Sequence, residues 1–95
     1  MAPAPAVTVL VPTMLRDCTG GAPELALAAA SVRAALEEIG RRHPSLHRSV
    51  LDERGAVRPH VNLFVNASHV RDLAGLDTAL APGDVVTILP AVSGG

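Results

Sequence analysis

The sequence predicts an α+β fold in which one main helix crosses a mixed β-sheet. Three observations predict it: short alternating runs rich in Val and Leu, one apolar stripe at helical spacing, and turn residues between these segments. At 95 residues the chain has room for one domain. With one Phe and no Tyr or Trp, its core must be aliphatic.

The first two strands are predicted near the N-terminus. "AVTVLV" (6–11) alternates, and one of its faces carries three valines: Val7, Val9 and Val11. "RDCTGG" (16–21) carries turn residues, and "PELALA" (23–28) follows as a returning strand. Together these segments predict a hairpin with a wide loop.

The main helix is predicted to begin after Ser31, whose hydroxyl suits the N-cap position. Gly40 and Pro44 mark its expected end. An apolar stripe follows the cap: Val32, Ala35, Leu36 and Ile39. Two exposed ion pairs are expected at i,i+4 spacing, Glu37 with Arg41 and Glu38 with Arg42.

The second half predicts a short helical turn and a loop within 45–59, and then further strands. "HVNLFVN" (60–66) alternates, with Val61, Leu63 and Val65 inward and with Asn62, Phe64 and Asn66 outward. "NASH" supplies a turn, "VRDL" (70–73) a short partner strand, and "VVTILP" (85–90) the last strand. In that last strand Val86 and Ile88 are expected inward, and Val85, Thr87 and Leu89 outward.

The resulting order is strand, strand, helix, strand, short strand, strand. It is the β-grasp (ubiquitin-like) arrangement, a mixed sheet with one main crossover helix packed on one face. In it the last strand lies centrally, beside the first. We therefore expect the C-terminal segment to leave the domain from a well-anchored place.

Composition argues against several classes of partner. A net charge of -1 and the lack of an aromatic platform predict no binding to nucleic acid. No segment approaches the ~20 apolar residues of a membrane span, and "MAPAPAV" does not resemble a signal peptide. We therefore expect a cytoplasmic protein.

Side chains that often carry chemistry are sparse. Cys18 lacks a neighbouring His or Lys that would lower its pKa, so an incidental thiol is favoured over a sulfur relay. His43 and His47 have the spacing of a helical metal pair, but Pro44 disfavours a helical His43. No metal site, no catalytic residue in cis and no bound cofactor are expected, so the chain is predicted to be a substrate of other enzymes.

The C-terminal "PAVSGG" (90–95) is the main candidate site. One interpretation is a frayed end. The other is that a partner grips Leu89, Pro90 and Val92 while Ser93 and Gly94 thread a narrow channel to deliver the Gly95 carboxylate. Phe64 either joins this docking patch or is covered by the 41–59 segment. The predicted division is a 1–92 domain and a flexible 93–95 tail.

Three stretches resemble the ubiquitin-like sulfur-carrier family: "LVPTMLRDCTGG" (10–21), "HVNLFVNASHVRDLAGLDTALAPGD" (60–84) and "GDVVTILPAVSGG" (83–95). That family includes the small subunit of molybdopterin synthase and the carrier for thiazole synthesis. The likeness is strongest to CysO-type carriers of an alternative cysteine pathway, which share an ending of the form "ILPAV-x-GG". It runs from about Val7 to Gly95 and is loosest over 41–59.

The resemblance implies a function. An E1-like enzyme would use ATP to adenylate Gly95, and a sulfur donor would convert the acyl-adenylate to a thiocarboxylate. A downstream synthase would then take the sulfur for cysteine, a thio-sugar, molybdopterin or thiazole. Two alternatives stay open: a ubiquitin-like modifier conjugated through Gly95, and an inert β-grasp interaction domain.

Overall fold

The computed structural model describes residues 3–90. Five strands form one mixed sheet: β1 (Ala6–Leu10), β2 (Glu24–Ala28), β3 (Val61–Val65), β4 (Ser68–His69) and β5 (Val85–Pro90). The strand order is β2-β1-β5-β3-β4, with β5 parallel to β1 and antiparallel to β3. The β-grasp order and the central place of the last strand are therefore confirmed.

The core lies between one face of the sheet and two helices, α1 (Val32–Arg42) and α2 (Pro44–Val50). The predicted inward residues of the strands are buried: Val7, Val9, Val11, Val61, Leu63, Val65, Val86 and Ile88. The predicted stripe of α1 is buried against them: Val32, Ala35, Leu36 and Ile39. Side chains on the opposite face of the sheet are exposed or half-buried.

The start and the end of α1 are both confirmed. Ser31 Oγ accepts a hydrogen bond of 3.1 Å from the Ala34 N–H, as an N-cap should. The helix ends at Arg42, between Gly40 and Pro44 as predicted. A Cβ atom on Gly40 would lie 3.0 Å from Cδ2 of His47, so this glycine permits the close packing of α2 on α1. His43, with φ −141° and ψ 73°, separates the two helices, and Pro44 begins α2.

The predicted hairpin of β1 and β2 is confirmed, and its wide loop contains a 3-10 helix, Thr13–Thr19. The prediction for the short partner strand needs correction. The short partner strand is Ser68–His69 rather than 70–73, where a 3-10 helix (Val70–Asp72) lies instead. The reason is Asn66, whose φ of 54° makes a tight turn, so that Val65 already pairs with Ser68.

The predicted ion pairs of α1 are replaced by other contacts. Arg41 pairs with Glu38, one helical turn away at i,i+3 spacing. Arg42 Nη1 donates a hydrogen bond of 3.1 Å to the Ala26 carbonyl of β2. Because β2 is an edge strand, its outer carbonyls are open to such side-chain donors.

Asn66 and Asp84 connect the turn before β4 to the start of β5. Asn66 Nδ2 donates to Asp84 Oδ1 at 3.1 Å, and the Val85 N–H donates to Asn66 Oδ1 at 3.0 Å. Asp84 Oδ2 accepts from the Ala81 N–H at 2.9 Å. The Ala81 hydrogen bond, and after it that of Asn66, holds the pKa of the Asp84 carboxyl below its ordinary value.

We expect Asp84→Asn to make the free energy of unfolding depend less on pH in the acid range. A carboxyl whose pKa is lowered by folding stabilises the folded state above the ordinary value of 3.8. That contribution is lost as the pH falls through the lowered pKa. Urea unfolding at a series of pH values measures the effect, with the exposed Asp72→Asn as the control. An unchanged slope in Asp84→Asn would contradict the prediction.

Candidate functional site

The candidate site lies where the central strand ends. Val86 and Thr87 of β5 are paired on both sides, with β1 and with β3. The pairing with β3 continues to Pro90, which lies opposite Val61. A segment that follows Pro90 therefore starts from a position fixed by the sheet.

An apolar patch lies on the open face of the sheet beside this end. We call it the outer patch, and it consists of Leu10, Phe64, Thr87 and Leu89. Thr87 lies at its centre, with Leu10 opposite it on β1 and Phe64 opposite it on β3. Leu89 is one outward position further along β5, which makes it a diagonal neighbour of both flanking residues. Leu89 is 43% exposed and Leu10 is 36% exposed, so both are available to a partner.

A groove of about 360 Å³ extends the outer patch toward the 3-10 helix that follows β1. Leu10, Thr87 and Leu89 line it together with Pro12 and Arg16. The Arg16 side chain is held there by a hydrogen bond of 3.1 Å from its Nε to the Val11 carbonyl. The arrangement can receive an apolar side chain of another protein, with a cation at its rim.

Phe64 is held on the outer face by an aromatic contact. Its ring meets that of His69 edge-on, with the centroids 5.0 Å apart and an interplanar angle of 65°. His69 Nδ1 accepts from the Arg71 N–H at 3.1 Å, which assigns the proton of a neutral ring to Nε2, 3.0 Å from Asn62 Oδ1. The hydrogen bonds fix the His69 ring and, through it, the position of Phe64.

Phe64 is half-buried, and its predicted alternative, cover by the 41–59 segment, stays a prediction. Within that segment, Arg48 and Arg58 line a groove with the inward residues Val61 and Ile88, and residues 56–59 line another with Asn62 and His69. Phe64 and Leu89 share the outer face, as predicted, and their docking role stays a prediction. Pro90 is half-buried at the end of β5. The other predicted site residues, Val92, Ser93, Gly94 and Gly95, lie outside the described residues.

Two exposed apolar residues near this end were missed by the sequence analysis. Leu10 follows from the alternation of β1, since inward Val9 and Val11 leave Leu10 outward. Met14, 67% exposed, lies in the 3-10 helix, and a turn-rich segment carries no periodicity that would reveal its facing. Both widen the apolar surface around the end of β5.

The other candidates from the sequence are placed as follows. Cys18 is half-buried and packs against the core, which suits a structural thiol. Residues 3–90 contain no group of three or more His, Cys, Asp or Glu side chains arranged to hold a metal ion. None of the helices found in that range has the length and apolar character needed to cross a membrane.

The fold and this site define a class: a ubiquitin-like β-grasp protein whose central last strand ends beside an exposed apolar patch. The model of the ThiS family matches residues 9–95. The chain belongs to the ThiS family.

Relatives and solved structures agree with this assignment. The chain is 38% identical over 91 residues to the sulfur carrier protein CysO of Mycobacterium tuberculosis, a match that covers 94% of this chain and 98% of the relative. It superposes on a chain of the Amycolatopsis orientalis BexX/CysO complex with a TM-score of 0.87 and 37% identity, covering 95% and 100% of the two chains. The small archaeal modifier protein 1 of Methanosarcina acetivorans gives a TM-score of 0.83 at 32% identity, with full coverage of both chains.

Proposed function

We propose that this chain is a sulfur carrier whose Gly95 carboxylate is adenylated and then converted to a thiocarboxylate. Membership of the ThiS family and the likeness to the sulfur carrier CysO support the carrier role. The observation that carries the proposal is the placement of the C-terminal segment. The central strand β5 ends at Pro90 beside the outer patch, and the C-terminal segment follows Pro90 in the sequence.

The chemistry requires activation because a carboxylate is a poor acyl donor. An oxygen of the Gly95 carboxylate attacks the α-phosphorus of ATP, and pyrophosphate leaves to give an acyl-adenylate. A sulfur nucleophile at the level of hydrosulfide then attacks the acyl carbon, and AMP leaves. The terminus now carries –C(=O)–S⁻, which can pass its sulfur to an acceptor enzyme.

The dimensions of the chain fit a donor that reaches into another protein. Five residues follow Pro90, and a fully extended segment of that length spans up to about 17 Å. Gly94 and Gly95 have no Cβ, so a narrow channel can close around them. The outer patch supplies the contact that holds the carrier while its terminus reacts.

Two kinds of partner follow from this function. An E1-like enzyme binds ATP and activates Gly95, so ATP is a substrate of that enzyme rather than a cofactor of this chain. A synthase then accepts the sulfur for cysteine, a thio-sugar, molybdopterin or thiazole. The chain itself is a protein co-substrate in both reactions.

Intact mass spectrometry tests the proposal. The protein is incubated with the E1-like enzyme encoded in the same genome, ATP and sulfide. We expect a product heavier by the mass difference between sulfur and oxygen, with the change located in the C-terminal peptide. The control omits ATP, and its spectrum is expected to show only the starting mass. Failure to form the heavier species with ATP present would refute the proposal.

A second candidate function is conjugation to other proteins. The likeness to the small archaeal modifier protein 1 favours it, and it requires the same activation of Gly95. An isopeptide bond would join Gly95 to a lysine of the target, and chains through this protein's own lysines are excluded because it has none. Higher-mass conjugates in cell extract that require Gly95 would favour the modifier over the carrier.

A further inference from the structure

A second groove lies on the inner side of the same strand end. It has a volume of about 380 Å³ and combines apolar and cationic lining residues. Met14 and Pro90 supply apolar surface, while Arg48, Arg58 and His60 supply groups that carry or can carry a positive charge. Because Pro90 is the last residue of β5, this groove adjoins the start of the C-terminal segment.

Arg58 is fixed in this groove by α2. Its N–H donates to the Val50 carbonyl at 2.9 Å, and its Nε donates to the Arg48 carbonyl at 2.7 Å. Both acceptors belong to the last turn of α2, where carbonyls lack helical partners. The hydrogen bond that caps α2 therefore uses Nε and orients the Arg58 guanidinium. No hydrogen bond from its two Nη groups is found within residues 3–90, so these groups can donate to an acceptor on another molecule.

The positive charge of the groove is not neutralised within residues 3–90. The ion pairs found there use Arg33, Arg41 and Arg54. Arg48 has only a hydroxyl contact, from its Nη2 to Ser45 Oγ at 3.3 Å. Its guanidinium is exposed, so the charge is available to an acceptor on another molecule.

The acidic side chain nearest to Arg48 along the chain, Asp52, makes its hydrogen bonds within its own loop. Asp52 Oδ1 accepts from the Ala56 and Arg54 N–H groups at 3.0 and 2.9 Å, and Oδ2 pairs with the Arg54 side chain. No Asp or Glu is among the residues that line the groove. The chain as a whole carries a charge of -1, so this cationic groove is a local feature.

We propose that the groove formed by Met14, Arg48, Arg58, His60 and Pro90 docks carboxylate side chains of the E1-like enzyme that activates Gly95. This inference rests on the proposed function. Because Pro90 lines the groove, an enzyme that binds the segment after Pro90 comes close to the groove. Arg guanidinium groups bind carboxylates through two parallel hydrogen bonds, which fixes orientation as well as charge.

In the proposed complex, the two sides of the end of β5 make different contributions to binding the enzyme. The outer patch is mainly apolar and supplies area, while the inner groove supplies charge complementarity, which accelerates association and sets the register of docking. A partner loop that carries two carboxylates beside an apolar residue would match Arg48, Arg58 and Met14 together.

The inference is tested by measuring, in the absence of ATP, the association rates of charge-reversed variants with the E1-like enzyme from the same genome. We expect Arg48→Glu and Arg58→Glu each to slow association on the order of tenfold at low salt. The association rate of the wild-type protein should fall as NaCl is added, and the rates of both variants should depend less on salt. Arg33→Glu is the matched control, since it makes the same charge change in the first turn of α1, and Arg33 is not among the residues that line the groove.

A folding control keeps the test decisive. Arg58→Gln removes the charge and retains a side-chain amide that can donate to the Arg48 carbonyl. Because the Arg48 side chain is exposed, Arg48→Glu removes no buried contact. Far-UV circular dichroism melts should therefore match the wild type for Arg58→Gln and Arg48→Glu, while their association is still slowed. Equal losses in Arg33→Glu, unchanged association in the groove variants, or no binding of the wild-type protein would each overturn the inference.

The outcome for the proposed function is read separately. Thiocarboxylate formation by the wild-type protein is measured by mass, whereas docking is measured by binding without chemistry. Binding that depends on the groove without any gain of sulfur would sustain the docking inference and reject the carrier function. Sulfur gain that is equal in the wild type and in the groove variants would support the carrier function and reject the docking inference.

Discussion

Deletion of Gly95 is expected to abolish thiocarboxylate formation while the free energy of unfolding stays unchanged. The reacting carbon belongs to Gly95, and a chain that ends at Gly94 presents its carboxylate one residue short of the enzyme's reaction centre. A misplacement of this size removes most of the advantage of positioning. Every buried apolar residue found within 3–90 lies between Val7 and Ile88, so we expect the described core to be retained in the deletion variant.

The experiment compares three proteins: the wild type, the Gly95 deletion and Gly95→Ala. Gly95→Ala keeps the length and the carboxylate but adds a Cβ where a narrow channel must close. We expect it to react slowly and the deletion not to react. Intact mass after incubation with the activating enzyme, ATP and sulfide measures both, and urea unfolding checks the fold. A deletion variant that still gains sulfur would show that Gly95 is not the reactive terminus.

The same comparison separates the carrier from an inert interaction domain. If the C-terminal segment were inert, neither variant would alter partner function. Conjugation to target proteins, in contrast, would also be lost on deletion, so only the small sulfur-containing product distinguishes a carrier from a modifier. The mass of the unconjugated protein therefore carries more information than the loss of a cellular activity.

Much of the fold follows from two periodicities in the sequence. Alternation in β1, β3 and β5 assigns the inward and outward residues correctly because a sheet covered on one face needs apolar residues at every second position. The spacing of 3 and 4 in α1 does the same for the helix. The central place of β5 follows from the order of the elements, and with it the location of the candidate site.

The errors occur where a tertiary contact overrides a local signal. Arg42 is predicted to pair with Glu38, but its guanidinium donates instead to the Ala26 carbonyl of β2. The turn at Asn66 depends on a left-handed φ that only the structure reveals. The cationic groove was missed for a similar reason: Arg48 and Arg58 are ten residues apart and meet through a hydrogen bond to a helix-end carbonyl.

Leu63→Ala and Leu89→Ala are expected to have opposite effects on stability and on partner binding. The two leucines lie on neighbouring strands and point to opposite faces: Leu63 is fully buried, and Leu89 is 43% exposed. Truncation of Leu63 leaves a cavity in a close-packed core and should cost about 2–5 kcal/mol of the free energy of unfolding. Since small domains are stabilised by about 5–15 kcal/mol in total, this is a large share.

Leu89→Ala creates no cavity, because the side chain stands on the open face, and its stability should stay within about 0.5 kcal/mol of the wild type. Its effect should appear in binding, where loss of an apolar anchor costs more than about 1 kcal/mol, or roughly fivefold in affinity for the activating enzyme. Urea unfolding followed by far-UV circular dichroism gives the stabilities, since the chain has no Trp or Tyr to report by fluorescence. At a temperature where Leu63→Ala is still folded, its affinity should equal that of the wild type, because Leu63 does not reach the outer face. Equal affinities for Leu89→Ala and the wild type would remove Leu89 from the docking surface and leave the tail itself as the main element of recognition.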